Sequence, residues 1–544
     1  GIDNGGNTGG EIDNGGNTGG GTDNGGITGG GIDNGGNTGG PVLPPLSFLP
    51  DLPSGESLLE SPSFSLLYKF PELTALESLF TSANQFYRSN IGASFSTIAL
   101  ALSNRSPLYS ATSTARAAIE DIERSVSGDF EDYLGLSDSS PVSLEEARKV
   151  LREMERITGV RSALIYLFFR PVAAVAGEEA GETLWTFDSR GRSGRISTAG
   201  RDSDRLELIV VTPSEVIRRP VDEATRSRVL AAVPELQGTI TNPRRPRAYL
   251  EPSRQLYNWS IAPVEEDLQR NKIGNLLFIV DSGLRSLPFA ALHDGREFLV
   301  QRYSIGLLPT LSLTDRDYAS VRGQRVLAMG AERFTEQQPL PAVPVELSLI
   351  AGQLWKGVFF LNEGFTVNNL QRSRQAEGFR VIHLATHANF ESGVLTRSYI
   401  QFWNERLTLD RLRQLNFGDP PVDLLVLSAC RTALGDREAE LGFAGAAALA
   451  RVKTVLGSLW EVSDEGTLAL MSGFYGVLSA SPIKAEALRR AQLSMLAGEI
   501  RVEGGRLVTP EGNFPLPPVL AGLEDTKLNH PYYWSGFTII GSPW

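Results

Sequence analysis

From about residue 160 onward the chain alternates short apolar runs with amphipathic stretches. The runs are SALIYLFF (162–169), LELIVV (206–211), NLLFIV (275–280), RVLAMG (325–330), RVIHLA (380–385), DLLVLS (423–428) and KTVLGSLW (453–460). Apolar residues at consecutive positions mark strands buried on both faces, as in a parallel sheet covered by helices on either side. Between the runs, residues 442–451, 465–478 and 483–496 carry apolar side chains at helical spacing. The expected fold class is α/β, with crossover helices joining parallel strands.

Before residue 160 the pattern changes. Residues 54–159 read as mainly helical. Ser143 and Glu146 form a capping box, Val150, Leu151, Met154 and Ile157 follow at helical spacing, and Gly159 ends the run. This segment is expected to dock on the later domains or to recruit a partner. Residues 1–40 are four copies of a decapeptide, GIDNGGNTGG with small variations, and a proline-rich stretch reaches Pro53. With one or two apolar side chains per repeat, these residues cannot offset the backbone entropy of folding. Residues 1–53 are expected to be a disordered tether. Calcium-binding β-rolls also repeat Gly and Asp, but with a period of about nine residues and a different pattern.

Composition narrows the function. A chain of 544 residues calls for two or more domains. Its 51 Lys and Arg against 63 Asp and Glu leave a net charge of -12, which repels nucleic acid and anionic lipid. No apolar run approaches the roughly 18 residues of a membrane span. One cysteine rules out an internal disulfide framework. The chain opens on Gly1 without a signal-like segment, as expected of the C-terminal part of a longer protein. Its compartment stays open: cytoplasmic, or secreted if that longer protein is exported.

Two runs carry candidate chemistry, VIHLATHANF (381–390) and LLVLSACRTALG (424–435). In each, a strand ends in small residues followed by a reactive one, His387 in the first and Cys430 in the second. Functional groups collect outside the carboxyl ends of parallel strands, and consecutive strands joined by a crossover, here through 407–415, are usually neighbours. A thiolate attacks a carbonyl far better than a thiol does, and imidazole can take the thiol proton and return it to a leaving amine. The alternative is that Cys430 is one more buried cysteine. A metal site is a third reading, since His383 and His387 stand four apart. The helical zinc motif needs Glu after the first His, where Leu384 stands, and on a strand the two side chains are roughly 13 Å apart. No metal and no other cofactor is expected.

The stretches LLFIVDSGLRSLPFAAL (276–292), FRVIHLATHANF (379–390), DLLVLSACRTALG (423–435), VLGSLWEVSDEGTLALMSGFY (455–475), AEALRRAQLSML (485–496) and HPYYWSGFTIIG (530–541) together resemble the CHAT domain family, a branch of the caspase, separase and gingipain group of cysteine proteases. The resemblance implies a caspase-like sheet with an active half, 316–544, preceded by a degenerate caspase-like half, 160–315. It implies a dyad of His387 and Cys430, with the backbone N–H groups of Ala388 and Cys430 as oxyanion donors. Relatives often carry TPR repeats in front, but no 34-residue period is found here. An acidic S1 pocket drawn from Asp436 and Asp464 would select Arg or Lys at the cleavage position, whereas Asp464 could equally complement a helix dipole. The implied activity is that of a cysteine endopeptidase cleaving a protein substrate, regulated by a protein partner or by self-processing. The alternative is a catalytically silent module that binds partners or anchors a larger protein.

Overall fold

The computed structural model describes residues 107–171, 201–432, 437–521 and 528–544, with the backbone alone at 107–115, 429–432, 437–438 and 521. The decapeptide repeats, the proline-rich stretch, the first part of the helical segment and Asp436 lie outside the described residues.

Each of the seven apolar runs is a strand. In chain order, helices α1 (Pro107–Leu134) and α2 (Leu144–Thr158) precede strands β1 (Ser162–Arg170), β2 (Arg205–Val211) and β3 (Val216–Thr225). Helix α3 (Arg226–Ile240) leads to β4 (Asn275–Val280), β5 (Ser304–Leu307) and β6 (Val326–Gly330). Helix α4 (Val343–Leu349) is followed by β7 (Gly357–Leu361), β8 (Val381–Phe390), β9 (Tyr399–Gln401), β10 (Arg406–Thr408) and β11 (Leu424–Thr432). Helices α5 (Arg437–Ala444) and α6 (Ala446–Ala450), strand β12 (Thr454–Ser458), and helices α7 (Asp464–Leu478) and α8 (Lys484–Leu496) come next. A small sheet of β13 (Arg501–Glu503), β14 (Arg506–Thr509) and β15 (Gly512–Pro515) precedes the last strand, β16 (Phe537–Gly541).

The fold is mixed α/β around a largely parallel 13-stranded sheet ordered β10-β9-β8-β11-β12-β16-β5-β4-β1-β2-β3, with β6 paired to β8 and β7 to β6. Strands β7, β6, β8, β11 and β12 run parallel, as do β1, β4, β5 and β16. Antiparallel pairs occur at β12–β16, β8–β9, β9–β10, β1–β2 and β2–β3. Every residue of β4, β6 and β12 is buried, which follows from their unbroken apolar sequence and from helices on either side. Residues 160–315 and 316–544 share this one sheet, because β16, near the C-terminus, lies between β12 and β5.

Helix α2 begins and ends where the sequence places it. The Ser143 hydroxyl accepts from the Glu146 N–H at 3.3 Å, and Gly159 caps the helix at φ 72°. Leu151 and Met154 are buried, but Ile157 is exposed. Helix α1 docks through the Glu123 carboxylate, which is fully buried and accepts from Tyr166 Oη at 2.8 Å, the N–H groups of Leu311 and Ser312 at 3.1 and 3.0 Å, and Ser312 Oγ at 2.6 Å.

Three expectations need correction. Strands β8 and β11 do not stop at 385 and 428 but run through the reactive residues to Phe390 and Thr432. The crossover over 407–415 is the end of β10 followed by two short helical turns, Leu409–Leu412 and Arg413–Leu415. The helix expected over 442–451 is broken at Gly445 into α5 and α6.

Candidate active site at the ends of β8 and β11

The two strands that carry His387 and Cys430 are tied together at their start. Arg380 holds the fully buried carboxylate of Asp423 through two bonds, at 2.5 and 2.9 Å, a bidentate pair that is directional as well as strong. From there the register runs Leu424 opposite Val381 up to Leu427 opposite Leu384. It then shifts, so that Ala429 faces His387 and Cys430 faces Ala388. Ala385 and Thr386 thus stand against Ser428 alone, a bulge of the kind that re-aims side chains next to functional sites. Thr386 Oγ1 secures the bulge by donating to the Gln401 carbonyl at 2.5 Å. Gly330, at the end of β6, makes room for it: a Cβ there would lie 2.4 Å from the Ala385 oxygen.

His387 sits at a topological switch point, since the chain leaves β6 toward β7 on one side and returns as β8 on the other. Ligand sites of open α/β sheets form at such crevices. The loop after β6 covers the imidazole. Nε2 of His387 is 2.8 Å from the carbonyl oxygen of Gln338, and the Phe334 ring meets it edge-on at 4.9 Å. A carbonyl only accepts, so in the neutral ring the proton belongs on Nε2 and Nδ1 carries the lone pair. The loop is itself anchored. Leu340 N–H donates to Glu332 O at 2.9 Å, Gln337 Nε2 to Gln401 Oε1 at 3.0 Å, and Arg406 pairs with Glu336 at 2.6 Å.

The register brings the backbones of His387 and Cys430 to diagonal positions on neighbouring strands, with Ala388 the direct partner of Cys430. Ala388 is also opposite Ile400 of β9, so it is paired on both sides. Asp464 opens α7 just after its N-cap, Ser463. Its Oδ2 accepts from the Ala342 N–H at 2.5 Å, which joins the turn after β12 to the start of α4. Burial lifts the Asp464 pKa to about 7; the bond from Ala342 opposes the rise, and the charges of Glu346 and Glu465 add to it.

His383 lies deeper on the same strand. Fully buried, its Nε2 is 2.9 Å from Glu346 Oε1 and its Nδ1 is 3.4 Å from Tyr475 Oη. Burial first, and Glu346 second, push the Tyr475 hydroxyl well above its usual pKa. The histidine that suggested a metal pair is therefore faced by groups from α4 and α7, inside the layer that covers the sheet. Among the described residues no group of three or more His, Cys, Asp or Glu is arranged to hold a metal ion, and no helix is long and apolar enough to cross a membrane.

Sequence reasoning missed Gln338, Gln401 and Glu346. Gln338 acts through its main chain, which leaves no signal in residue type. Glu346 is the one charged residue of VPVELSL, a signal that was there to be read.

No curated protein matches the chain. Among solved structures, the Saccharomyces cerevisiae separase–securin complex is similar over 76% of this chain and 32% of that one, at 11% identity and a TM-score of 0.39. The chain thus spans about a third of the length of that structure's chain. The family model described as CHAT domain matches residues 250–542, more than half of the sequence, and the chain belongs to the CHAT domain family.

Proposed function

We propose that this chain is a cysteine endopeptidase with Cys430 as nucleophile and His387 as general base. The observation that carries the reading is the bulged register, which sets the two residues one step apart on adjacent parallel strands. A fixed imidazole supports it, since the Gln338 carbonyl holds Nε2 and leaves Nδ1 to take the thiol proton.

The chemistry follows in two halves. The Cys430 thiol gives its proton to His387, and the thiolate adds to the scissile carbonyl. The tetrahedral oxyanion then collapses, the C–N bond breaks, and the amine leaves with the proton from His387. Water, deprotonated by the same imidazole, attacks the thioester, and the acid product and the free thiol are released. The N–H groups of Ala388 and Cys430 are the proposed oxyanion donors. In the described register Ala388 lies within the sheet ladder, opposite Cys430 and Ile400, so an N–H bonded there is freed for the oxyanion only by a local opening of the ladder. That suits a regulated enzyme acting on a protein, with a partner or self-processing as the trigger. The same closed ladder favours a second reading, a silent module that binds or anchors.

For specificity, Asp436 and Asp464 remain the proposed acidic S1 groups, selecting Arg or Lys. The Asp464 carboxylate already has a partner in the Ala342 N–H, so Asp436 would carry the larger share. The test is cleavage of a peptide library by the wild-type protein, Cys430→Ala and His387→Ala. The proposal expects cleavage after basic residues by the wild type alone. Equal, low turnover by all three would favour the silent module, and equal cleavage after apolar and basic residues would remove the acidic pocket.

A further inference from the structure

The helix that follows the Cys430 strand carries a buried carboxylate that the proposed chemistry does not use. Glu440 of α5 is 1% exposed. Its Oε2 accepts from the Gly283 N–H at 2.8 Å and its Oε1 from Ser286 Oγ at 2.6 Å. Burial raises its pKa, while these bonds and the Arg285 charge hold it down. Both partners lie in the turn after β4, in the half of the sheet that has no dyad of its own.

That turn is braced from several sides. Asp281 N–H donates to Leu167 O at 2.9 Å, Gln237 Nε2 of α3 donates to Ser286 O at 2.6 Å, and the Arg285 guanidinium lies 5.0 Å from the Phe130 ring of α1. Gly283 has φ +86°, and a Cβ there would come within 2.6 Å of Leu230, so the turn is tied to glycine. On its other side α5 meets the histidine strand, where Phe443 packs edge-on against Phe390 with centroids 5.5 Å apart. Glu440 stands ten positions after Cys430, and Phe390 three after His387. A buried carboxylate is costly unless fully bonded, and around it α5 and α6 offer mainly Ala, Gly, Leu and Phe. Smooth apolar surfaces can slide, whereas charge-assisted bonds set one depth and one rotation.

We infer that Glu440 is a positioning residue through which the first half of the sheet sets the alignment of the Cys430 strand end. The inference rests on the dyad reading above. Helices α1 and α3 hold the turn, the turn holds Glu440, and Glu440 holds the helix that continues the nucleophile strand. A partner that shifts α1 or α3 would reach Cys430 by this route.

The test uses the full chain with Glu440→Gln, Ser286→Ala and the double variant, read by kcat, KM and the rate of Cys430 alkylation by iodoacetamide. Glu440→Gln keeps the size and can still accept from the Gly283 N–H, but it reverses the bond with Ser286 Oγ and removes the charge that strengthens both. The expected result is a kcat lowered about tenfold with KM nearly unchanged, slower alkylation, a smaller effect of Ser286→Ala, and a double variant no worse than Glu440→Gln. If Glu440→Gln does not fold, Ser286→Ala carries the same readouts. Variants that match an active wild type, or lose activity only in proportion to their folded fraction, overturn the inference alone. A wild type that neither cleaves peptides nor reacts with iodoacetamide overturns the dyad reading and the inference with it.

Discussion

Nε2 of His387 lies 2.8 Å from the main-chain carbonyl oxygen of Gln338. No side-chain change at 338 removes that carbonyl, so its role is tested through what holds the loop. Phe334→Ala takes away the ring that packs edge-on against the imidazole, and Gln337→Ala takes away the bond to Gln401. Each is expected to lower kcat several-fold, on the order of five to twenty. The melting temperature should move little, since Phe334 and Gln337 are both partly exposed. Steady-state kinetics beside thermal melts would check this, and unchanged kcat in both variants would detach the loop from the dyad.

Asp464 gives a pH dependence of definite sign. Its folded pKa is raised from 3.8 to about 7, so between those values the folded chain keeps a proton that the unfolded chain releases. This group's contribution to stability is fullest below pH 4, falls as pH rises to about 7, and is level above that. Asp464→Asn cannot titrate and keeps an oxygen for the Ala342 N–H. Its melting temperature relative to wild type should improve from pH 5 to about pH 7 and then level off toward pH 8. A difference that stays flat over that range would contradict the assignment.

Glu123 fastens α1 to the sheet, and its truncation should be felt globally. Glu123→Ala strands two backbone N–H groups and two hydroxyls that now bond one carboxylate. A loss of about 3 kcal/mol is expected, near the upper end for a buried network. Denaturant unfolding measures it, and a change below about 0.5 kcal/mol would mean that α1 docks by apolar contact alone.

The repeats and proline-rich stretch make a prediction from composition. A chain beginning at Ser54 should melt at the temperature of the full chain, because each of the four repeats offers a core a single isoleucine and the short proline-rich stretch is expected to act as a spacer. A drop of several degrees would show that these residues pack.

The sheet was legible where its strands are unbroken apolar runs, as in NLLFIV (275–280), which is β4 to the residue. It was illegible where strands are short or polar. β9 and β10 have three residues each, and β3 reads VIRRPVDEAT. The adjacency of the His387 and Cys430 strands followed from chain order, but the bulge at Ala385 and Thr386 did not, since it depends on the close approach of Gly330 from β6. Glu346 was visible as the lone acid of its helix, whereas Glu440 shares REAELGFA with Glu438 and gave no such signal. Their partners, a histidine on β8 and a turn more than 150 residues away, were not visible.

The rate of Cys430 alkylation as a function of pH, in wild type and in His387→Ala, tests the dyad most directly, because Cys430 is the only thiol. With His387 as its base, the wild-type thiol should react readily at neutral pH. His387→Ala should react more slowly there, with a profile rising toward the unperturbed thiol pKa of about 8.5. Identical pH profiles in the two proteins would contradict the account, and a Cys430 that resists alkylation until the chain unfolds would make it a packing residue.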